Sequence, residues 1–558
     1  MVAKVVVSAI SLILVVGVVF GVVAVVHTSK HNDQEAPAAQ SKAVTAICQN
    51  ADDKKLCQHT LGNVNSTDPT EYIQVAVKVT FENIIKSLNM SDKLIVESNH
   101  NPRLKMSFED CKDMMEFAVD QLEAVTSTIG NGNVQTLSDK NEDLKNWLTS
   151  VVAFQQTCFD GFEGVEGDKK LTEQLQQGGL EDAGRLTGMA LDLLTGISGI
   201  LEAFNLKLNV KPASRRLLGS DGYPTWLSAS DRKLLAVNRG RIQPNVVVAK
   251  DGSGQFKTIG AALAAYPKNL NTGRYVIYVK AGVYDEIITV DKNMKNVLIY
   301  GDGPRRTIIT GNKSFAKTGV TTMRTATFSV AAPGFIAKGL GIKNNAGPEG
   351  HQAVALRIQA DYAVVVNCRI DGYQDTLYIH EGIQYYRNCV ITGTVDFIFG
   401  DGTAVIQNSK IIVRRPLDGQ FNTVTAQGKK FRNQSSGIVI QNCQIVPEMQ
   451  LFPDRFRIKS YLGRPWKDYS TAIIMESELG DFIHPDGWAP WMGTQFLNTL
   501  YFAEYGNRGP GANTAHRVKW AGFHVIDKNT AQRFTVGSFI RGHTWLPAAG
   551  VRFEAGLR

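Results

Sequence analysis

The sequence predicts two architectures in one chain: an all-α four-helix bundle over residues 45–205, then a mainly β parallel β-helix over residues 236–558. Three observations carry this. Apolar residues recur every three or four positions through the first region. From about residue 244 the texture changes to short Val-, Ile- and Tyr-rich runs separated by Gly, Asn and Asp, within a chain that has 51 glycines. One short phrase then repeats at an interval of about 20 residues, the signature of a solenoid.

The first 30 residues belong to neither unit. Residues 5–26 contain no charge and Lys4 precedes them. A helix of that length spans about 33 Å, enough to cross a bilayer, and exceeds the usual core of a cleaved leader. Segment 1–30 therefore reads as a signal anchor or a long signal peptide. Either routes the chain through the ER and Golgi, permits disulfides and removes nucleic acid as a partner. Contact with a membrane is expected only through this segment. Four Asn-x-Ser/Thr sequons, at Asn65, Asn89, Asn312 and Asn433, suit that route.

Residues 31–44 are polar and read as a linker. Four amphipathic stripes follow. Ile73, Val77, Phe81, Ile84, Ile85 and Leu88 mark the first, over 71–88. Met114, Ala118, Leu122 and Val125 mark the second, near 107–129. Leu144, Trp147, Leu148, Val151 and Val152 mark the third, near 139–160, and Leu186, Met189, Leu193, Ile197, Ile200 and Phe204 the fourth, over 180–205. Such stripes on short connections pack as a bundle. Cys48, Cys57, Cys111 and Cys158 fall here, an even set that implies two disulfides with three connectivities open. Cys48 and Cys57 are close enough to staple a hairpin.

Residues 206–235 carry two similar phrases, Arg215-Arg216-Leu217-Leu218 and Arg232-Lys233-Leu234-Leu235. Dibasic pairs on an exposed linker read as processing sites. Charge divides there too. Residues 236–558 hold 38 Lys and Arg against 23 Asp and Glu, a net +15, and the remainder is −7. A basic surface favours polyanions, in this compartment anionic lipid or an acidic polysaccharide.

The repeat is "YAVVVNCRI" (362–370), "IQYYRNCVI" (383–391), "TAVIQNSKI" (403–411) and "GIVIQNCQI" (437–445). The Asn residues are spaced 21, 20 and 34 apart, so the third interval implies an inserted loop of about 13 residues. In a β-helix each coil stacks on the previous one about 4.8 Å away, and residues in equal register point the same way. Asp375 and Asp396 each lie eight residues after a repeated Asn. Their carboxylates are expected within about 4–6 Å of each other. Two acids so close do not both ionise cheaply, which leaves one as a proton donor and the other as an anion. Turn capping and calcium binding are the plainer readings of such acids; the apolar flanks "DFIF" and "DTLY" weigh against capping. Cys368 and Cys389 are equivalent in the same way, so a disulfide between them is geometrically allowed, and Cys443 has no partner in register.

Retaining glycosidases also pair carboxylates, so the neighbours decide the chemistry. Gln374 precedes Asp375, and Gln352 lies about one coil earlier. Glutamine amides can donate to an oxyanion, which suits acyl transfer. "YLGRPWKDY" offers Arg464 to orient a carboxylate and Trp466 to stack on a sugar, with Trp488 and Trp491 as further aromatic candidates. There is no His-Glu-x-x-His, no Cys-x-x-Cys and no Gly-x-Ser-x-Gly. Metal-motif and serine-esterase readings are thereby disfavoured.

"QAVAL", "GYQDTLY", "GTVDFIFG" and "YLGRPW", in this order, resemble the plant pectin methylesterases over roughly 240–555, and 45–205 resembles the inhibitor-type pro-region that precedes many of them. The resemblance implies a right-handed parallel β-helix that uses no metal and no cofactor. It implies hydrolysis of methyl esters on galacturonic acid units of pectin. Asp396 would be the nucleophile, Asp375 the acid and then base, Gln352 and Gln374 the oxyanion donors, and Arg464 the partner of Asp396. Trp466, Tyr378 and Phe397 would line the sugar cleft with Gln352 and Arg464. A subtilisin-like protease would act at the dibasic sites, a proteinaceous inhibitor would be a further partner, and the mature enzyme would reach the cell wall. Ser409 departs from the pattern, standing where a cysteine would allow a disulfide with Cys443. A polygalacturonan-cleaving glycosidase and a non-catalytic wall-binding or inhibitor protein are the alternatives. Of the glycosidase phrases only "RIK" (457–459) occurs.

Overall fold

The computed structural model describes residues 43–204 and 243–558, apart from positions 131, 133, 165–168, 269, 271 and 272. The apolar segment 5–26 and both dibasic phrases lie outside the described residues. No described helix is long and apolar enough to cross a membrane.

Four helices form the first unit: α1 (Pro69–Glu97), α2 (Pro102–Gly130), α3 (Val134–Asp160) and α4 (Glu181–Thr195). Local chemistry sets their starts. Asp68 caps α1, its carboxylate accepting from Thr70 N at 2.8 Å, and Pro69 occupies the first turn, where its missing N–H costs nothing. The apolar stripes bury Ile73, Val77, Leu122, Leu148 and Leu193 in one core. Two disulfides brace it. Cys111–Cys158 ties α2 to the end of α3, and Cys48–Cys57 closes the hairpin before α1.

The second unit is a solenoid of three parallel sheets with 11, 7 and 8 strands, every ladder running between successive coils. Coil stacking follows the repeat. Ile342, Ile370, Ile391, Ile411, Ile445 and Leu479 pair in one register and are all fully buried. The Asn of each phrase makes the corner between sheets. Asn367, Asn388, Asn408 and Asn442 have φ of 52–54°, a left-handed conformation that Asn tolerates and β-branched residues resist. Asn442 Nδ2 donates to Asn408 Oδ1 at 2.6 Å, so the corners bond along the stack. The 34-residue interval holds two insertions rather than one loop, 414–421 and 428–436, either side of the strand Asn422–Gln427. The helix Ile259–Ala264 lies near one end of the solenoid, its first N–H groups donating to Glu286.

The expected Cys368–Cys389 disulfide does not form. Cys368, Cys389 and Cys443 are free and buried. Stacked side chains run parallel rather than toward each other, and each thiol turns to a carbonyl: Cys368 to Val366 O at 3.3 Å, Cys389 to Arg387 O at 3.3 Å and Cys443 to Gln441 O at 3.3 Å. Ser409 continues the ladder, its Oγ accepting from Cys389 N and its N–H facing Cys443 Sγ. Burial pushes the Cys368 and Cys443 thiols up to about 12, which makes them inert. A thiol-reagent titration should count none of these three in the folded protein and three after unfolding without reductant. A single free thiol after unfolding would restore the disulfide.

Candidate active site

Asp375 and Asp396 sit in turns that lead into the adjacent strands Leu377–Glu381 and Ile398–Gly400. Leu377 pairs with Ile398, which confirms that the two acids are register equivalents one strand spacing apart, about 4.8 Å at the backbone. Asp375 N donates to Val395 O at 3.1 Å, directly between the two coils. Both aspartates adopt left-handed φ, 61° and 50°. Side chains held in this region cost energy and cluster where function demands a fixed direction. They are only 7% and 5% exposed.

The two carboxyls have different surroundings. Arg464 donates to both oxygens of Asp396, Nε to Oδ1 at 2.8 Å and Nη2 to Oδ2 at 2.5 Å, and Thr423 Oγ1 adds a third bond at 2.6 Å. Trp491 backs the guanidinium at 4.3 Å. This clamp fixes the orientation of the Asp396 carboxyl group. Arg464 donates to no oxygen of Asp375. Burial, reinforced by the neighbouring Asp396 charge, raises Asp375 well above the usual carboxylate range. The pair is therefore asymmetric: Arg464 and Thr423 clamp Asp396, and burial raises Asp375.

Gln352 and Gln374 lie on neighbouring coils, joined by Ala353 N donating to Gln374 O at 3.2 Å. Both are half-buried. Neither side-chain amide bonds another protein group among the described residues. They are available to donate to a ligand beside the acids.

The outer face of the seven-stranded sheet forms a groove leading to this pair. Tyr378 stacks on Phe399 at 4.3 Å, and Trp466 meets Phe399 edge-on at 5.9 Å. The sequence-based choice of Phe397 for this wall is wrong. Phe397 is wholly buried inside the solenoid. The left-handed turn at Asp396 sends the next side chain inward, and register pairs Tyr378 with Phe399. Adding the 21-residue interval to Tyr378 would have found Phe399. Trp488 is also core, stacked on Phe502 at 4.4 Å, whereas Trp491 belongs to the site. Sequence reasoning missed the polar floor beyond Tyr378: Arg357, Gln359 and His380, of which Arg357 Nε donates to His380 Nδ1 at 3.1 Å. Strand alternation from Tyr378 signals all three.

The bundle lies across this groove. Thr157 on α3 bonds His380 Nε2 at 2.7 Å and lies 3.3 Å from the Tyr378 hydroxyl. Ser150 donates to Glu381 at 2.5 Å and Asn146 to Asp361 at 2.8 Å. Tyr378 and Phe399 belong to the bundle's own apolar cluster, with Trp466 packed against it. Ion pairs surround these contacts: Asp110 with Arg324, Asp120 with Lys292, Asp143 with Arg541, Asp160 with Lys467 and Asp52 with Arg432. In all five the bundle supplies the acid and the solenoid the base. Among the sequons, Asn65, Asn89 and Asn312 are exposed, but Asn433 is half-buried and its Nδ2 donates to Asp192 of α4 at 2.8 Å.

Residues 245–543 match the pectinesterase family model, and residues 42–193 match the plant invertase/pectin methylesterase inhibitor model. Pectinesterase 4 of Arabidopsis thaliana is 40% identical over 601 aligned positions that cover all of both chains. "Probable pectinesterase/pectinesterase inhibitor 58" of the same plant is 41% identical over 97% of this chain and 95% of its own. The solved structure of pectin methylesterase from carrot is 48% identical with a TM-score of 0.56, and 57% of this chain covers 99% of that one. A protein of about the solenoid's size thus folds without a bundle. The fold and the matched residues define a carboxylic ester hydrolase on a parallel β-helix. The chain belongs to the pectinesterase family, with an inhibitor-type region ahead of the enzyme.

Two expectations test the site. Phe397→Ala should destabilise the protein by about 3–5 kcal/mol through a core cavity, measured by denaturant unfolding. Phe399→Ala should cost far less stability and mainly raise KM; equal unfolding midpoints would refute the inward assignment. Asp375, whose folded-state affinity for a proton exceeds its unfolded value, subtracts stability as pH rises above the ordinary carboxylate value of 3.8. Asp375→Asn should therefore gain Tm over the wild type on going from pH 4 to pH 7. A constant difference across that range would contradict a raised Asp375.

Proposed function

We propose that the solenoid hydrolyses methyl esters of galacturonate units in pectin by a double displacement on Asp396. The observation that carries this is the asymmetry of the carboxyl pair, with Arg464 given wholly to Asp396. A carboxylate oxygen of Asp396 attacks the ester carbonyl carbon. The oxygen that becomes negative takes hydrogen bonds from Gln352 and Gln374. Asp375 passes its proton to the methoxy oxygen, the C–O bond breaks and methanol leaves an acyl-enzyme anhydride. Asp375, now ionised, removes a proton from water as that water attacks the acyl carbon. Cleavage of the anhydride frees the galacturonic acid unit, which ionises to solvent, returns Asp396 as carboxylate and leaves Asp375 protonated again. Trp466, Tyr378 and Phe399 supply faces for sugar rings.

The bundle restrains this activity while it is joined to the enzyme. It covers the groove, and its acids meet the bases that an anionic polysaccharide would meet. Cleavage at one or both dibasic sites by a subtilisin-like protease would release it, after passage through the secretory pathway to the cell wall. Asn433, whose acceptor nitrogen bonds Asp192, is the sequon least compatible with a docked bundle.

Residues 236–558 incubated with methylated pectin should release methanol without new reducing ends, and Asp396→Ala should reduce the rate by at least 10³-fold while leaving the fold intact. Reducing ends without methanol would establish a glycosidase instead. Cutting the full chain between residues 205 and 242 should raise the rate, and more so at high salt, where the five ion pairs are screened. Equal rates before and after cutting would remove the bundle from the regulation.

A further inference from the structure

The insertion 428–436 leaves the coil and reaches the bundle. A buried acid holds it from beneath. Asp401 accepts from Gln434 Nε2 at 2.6 Å and from Ser436 Oγ at 2.5 Å. Gln434 Oε1 accepts in turn from the N–H groups of Lys430 and Phe431, at 2.8 and 2.7 Å. With these groups turned inward, Phe431, Arg432, Asn433 and Ser435 meet the bundle. Phe431 lies on the backbone of α4, where a Cβ at Gly188 would come within 3.2 Å of its ring. Arg432 pairs with Asp52 at 3.3 Å, and Ser435 N donates to Thr149 Oγ1 on α3 at 3.0 Å.

Asn433 completes this contact, and it is also the acceptor of an Asn-x-Ser sequon. Its Nδ2 donates to Asp192 Oδ1 at 2.8 Å, while Asp52 N donates to Asp192 Oδ2 at 2.8 Å. Asp192 is only 6% exposed, so each of its oxygens needs that donor. A buried carboxylate that loses a donor is costly. One nitrogen therefore has two competing uses, as a donor to α4 and as a point of attachment for a sugar.

We propose that an N-linked oligosaccharide on Asn433 and a docked bundle exclude each other, so that occupancy of this sequon decides whether the uncut chain is latent. This rests on the secretory route and the restraint by the bundle set out above. Transfer joins the amide nitrogen to the anomeric carbon of an oligosaccharide carried on a lipid diphosphate. The nitrogen gives up one proton, the N–C bond forms and the lipid diphosphate leaves. A closed loop is no substrate for this step, because Asn433 Nδ2 faces Asp192 and Ser435 is bonded to Thr149. Before closure the same sequon is open. A sugar added then stands on the face that Phe431, Asn433 and Ser435 would present to α4 and α3, and its bulk keeps them apart. It acts on docking alone, so the rate after cutting is the same with and without it.

The full chain tests this. Asn65→Gln, Asn89→Gln and Asn312→Gln leave Asn433 as the acceptor, and Arg215→Gln, Arg216→Gln, Arg232→Gln and Lys233→Gln restrict cutting to an added protease whose site lies between residues 205 and 242. The chain is secreted from a eukaryotic host with and without an inhibitor of lipid-linked oligosaccharide synthesis, and the mass of the Asn433 peptide reports occupancy. In the sugar-free form, cutting should raise methanol release at least about tenfold, and the cut pieces should co-elute in gel filtration at micromolar concentration. In the sugar-bearing form the rise should be less than about twofold, and the pieces should elute apart. An unmodified Asn433 in the secreted protein, or equal latency and co-elution of the two forms, would overturn the proposal. A sugar-free chain as fast before cutting as after would instead sink the restraint by the bundle, and the elution comparison would still decide whether sugar and docking exclude each other.

Discussion

Coil-to-coil register is the constraint on which everything else depends. In a parallel stack each backbone group bonds the coil above or below, so a residue's direction is copied from its equivalent one coil away. That copying brings Asp375 and Asp396 together without any contact between their own loops. It also aligns Tyr378 with Phe399 and the Asn corners with one another. Repulsion between the two acids is overcome by a fold whose stability is spread through a long apolar interior. Local strain at two left-handed aspartates is small against that interior.

Much of this was legible in the sequence because repetition encodes register directly. The four helices, the solenoid, the carboxyl pair and Arg464 followed from periodicity and motif. Errors arose where side-chain direction depends on a turn rather than a strand. Phe397 came from the resemblance alone, whereas register with Tyr378 selects Phe399, two positions along the chain. Cys368 and Cys389 have the right separation for a bridge, but parallel side chains bonded to backbone carbonyls do not converge. Arg357 and His380 went unnoticed because neither sits in a conspicuous motif; only the sheet reveals that they share a face with Tyr378.

The bundle complements the solenoid in two chemistries at once. Its rim supplies acids to bases, and its centre supplies an apolar cluster to the aromatic wall. Hydroxyls from Thr157 and Ser150 satisfy the polar groups between. Polar groups buried at such a contact must find partners. The groove floor finds them on α3, except at Arg357, where a space remains.

The connection through residues 205–242 gives this contact a kinetic character. Covalent continuity keeps the bundle near the groove at an effective concentration on the order of millimolar, so even a modest intrinsic affinity keeps the site covered. Cutting the connection changes none of the contacts. It changes their order from unimolecular to bimolecular, and the covered fraction then depends on how far the two pieces are diluted. Two separate pieces would stay paired where they are concentrated and part where they are dilute, with volume acting as a second signal.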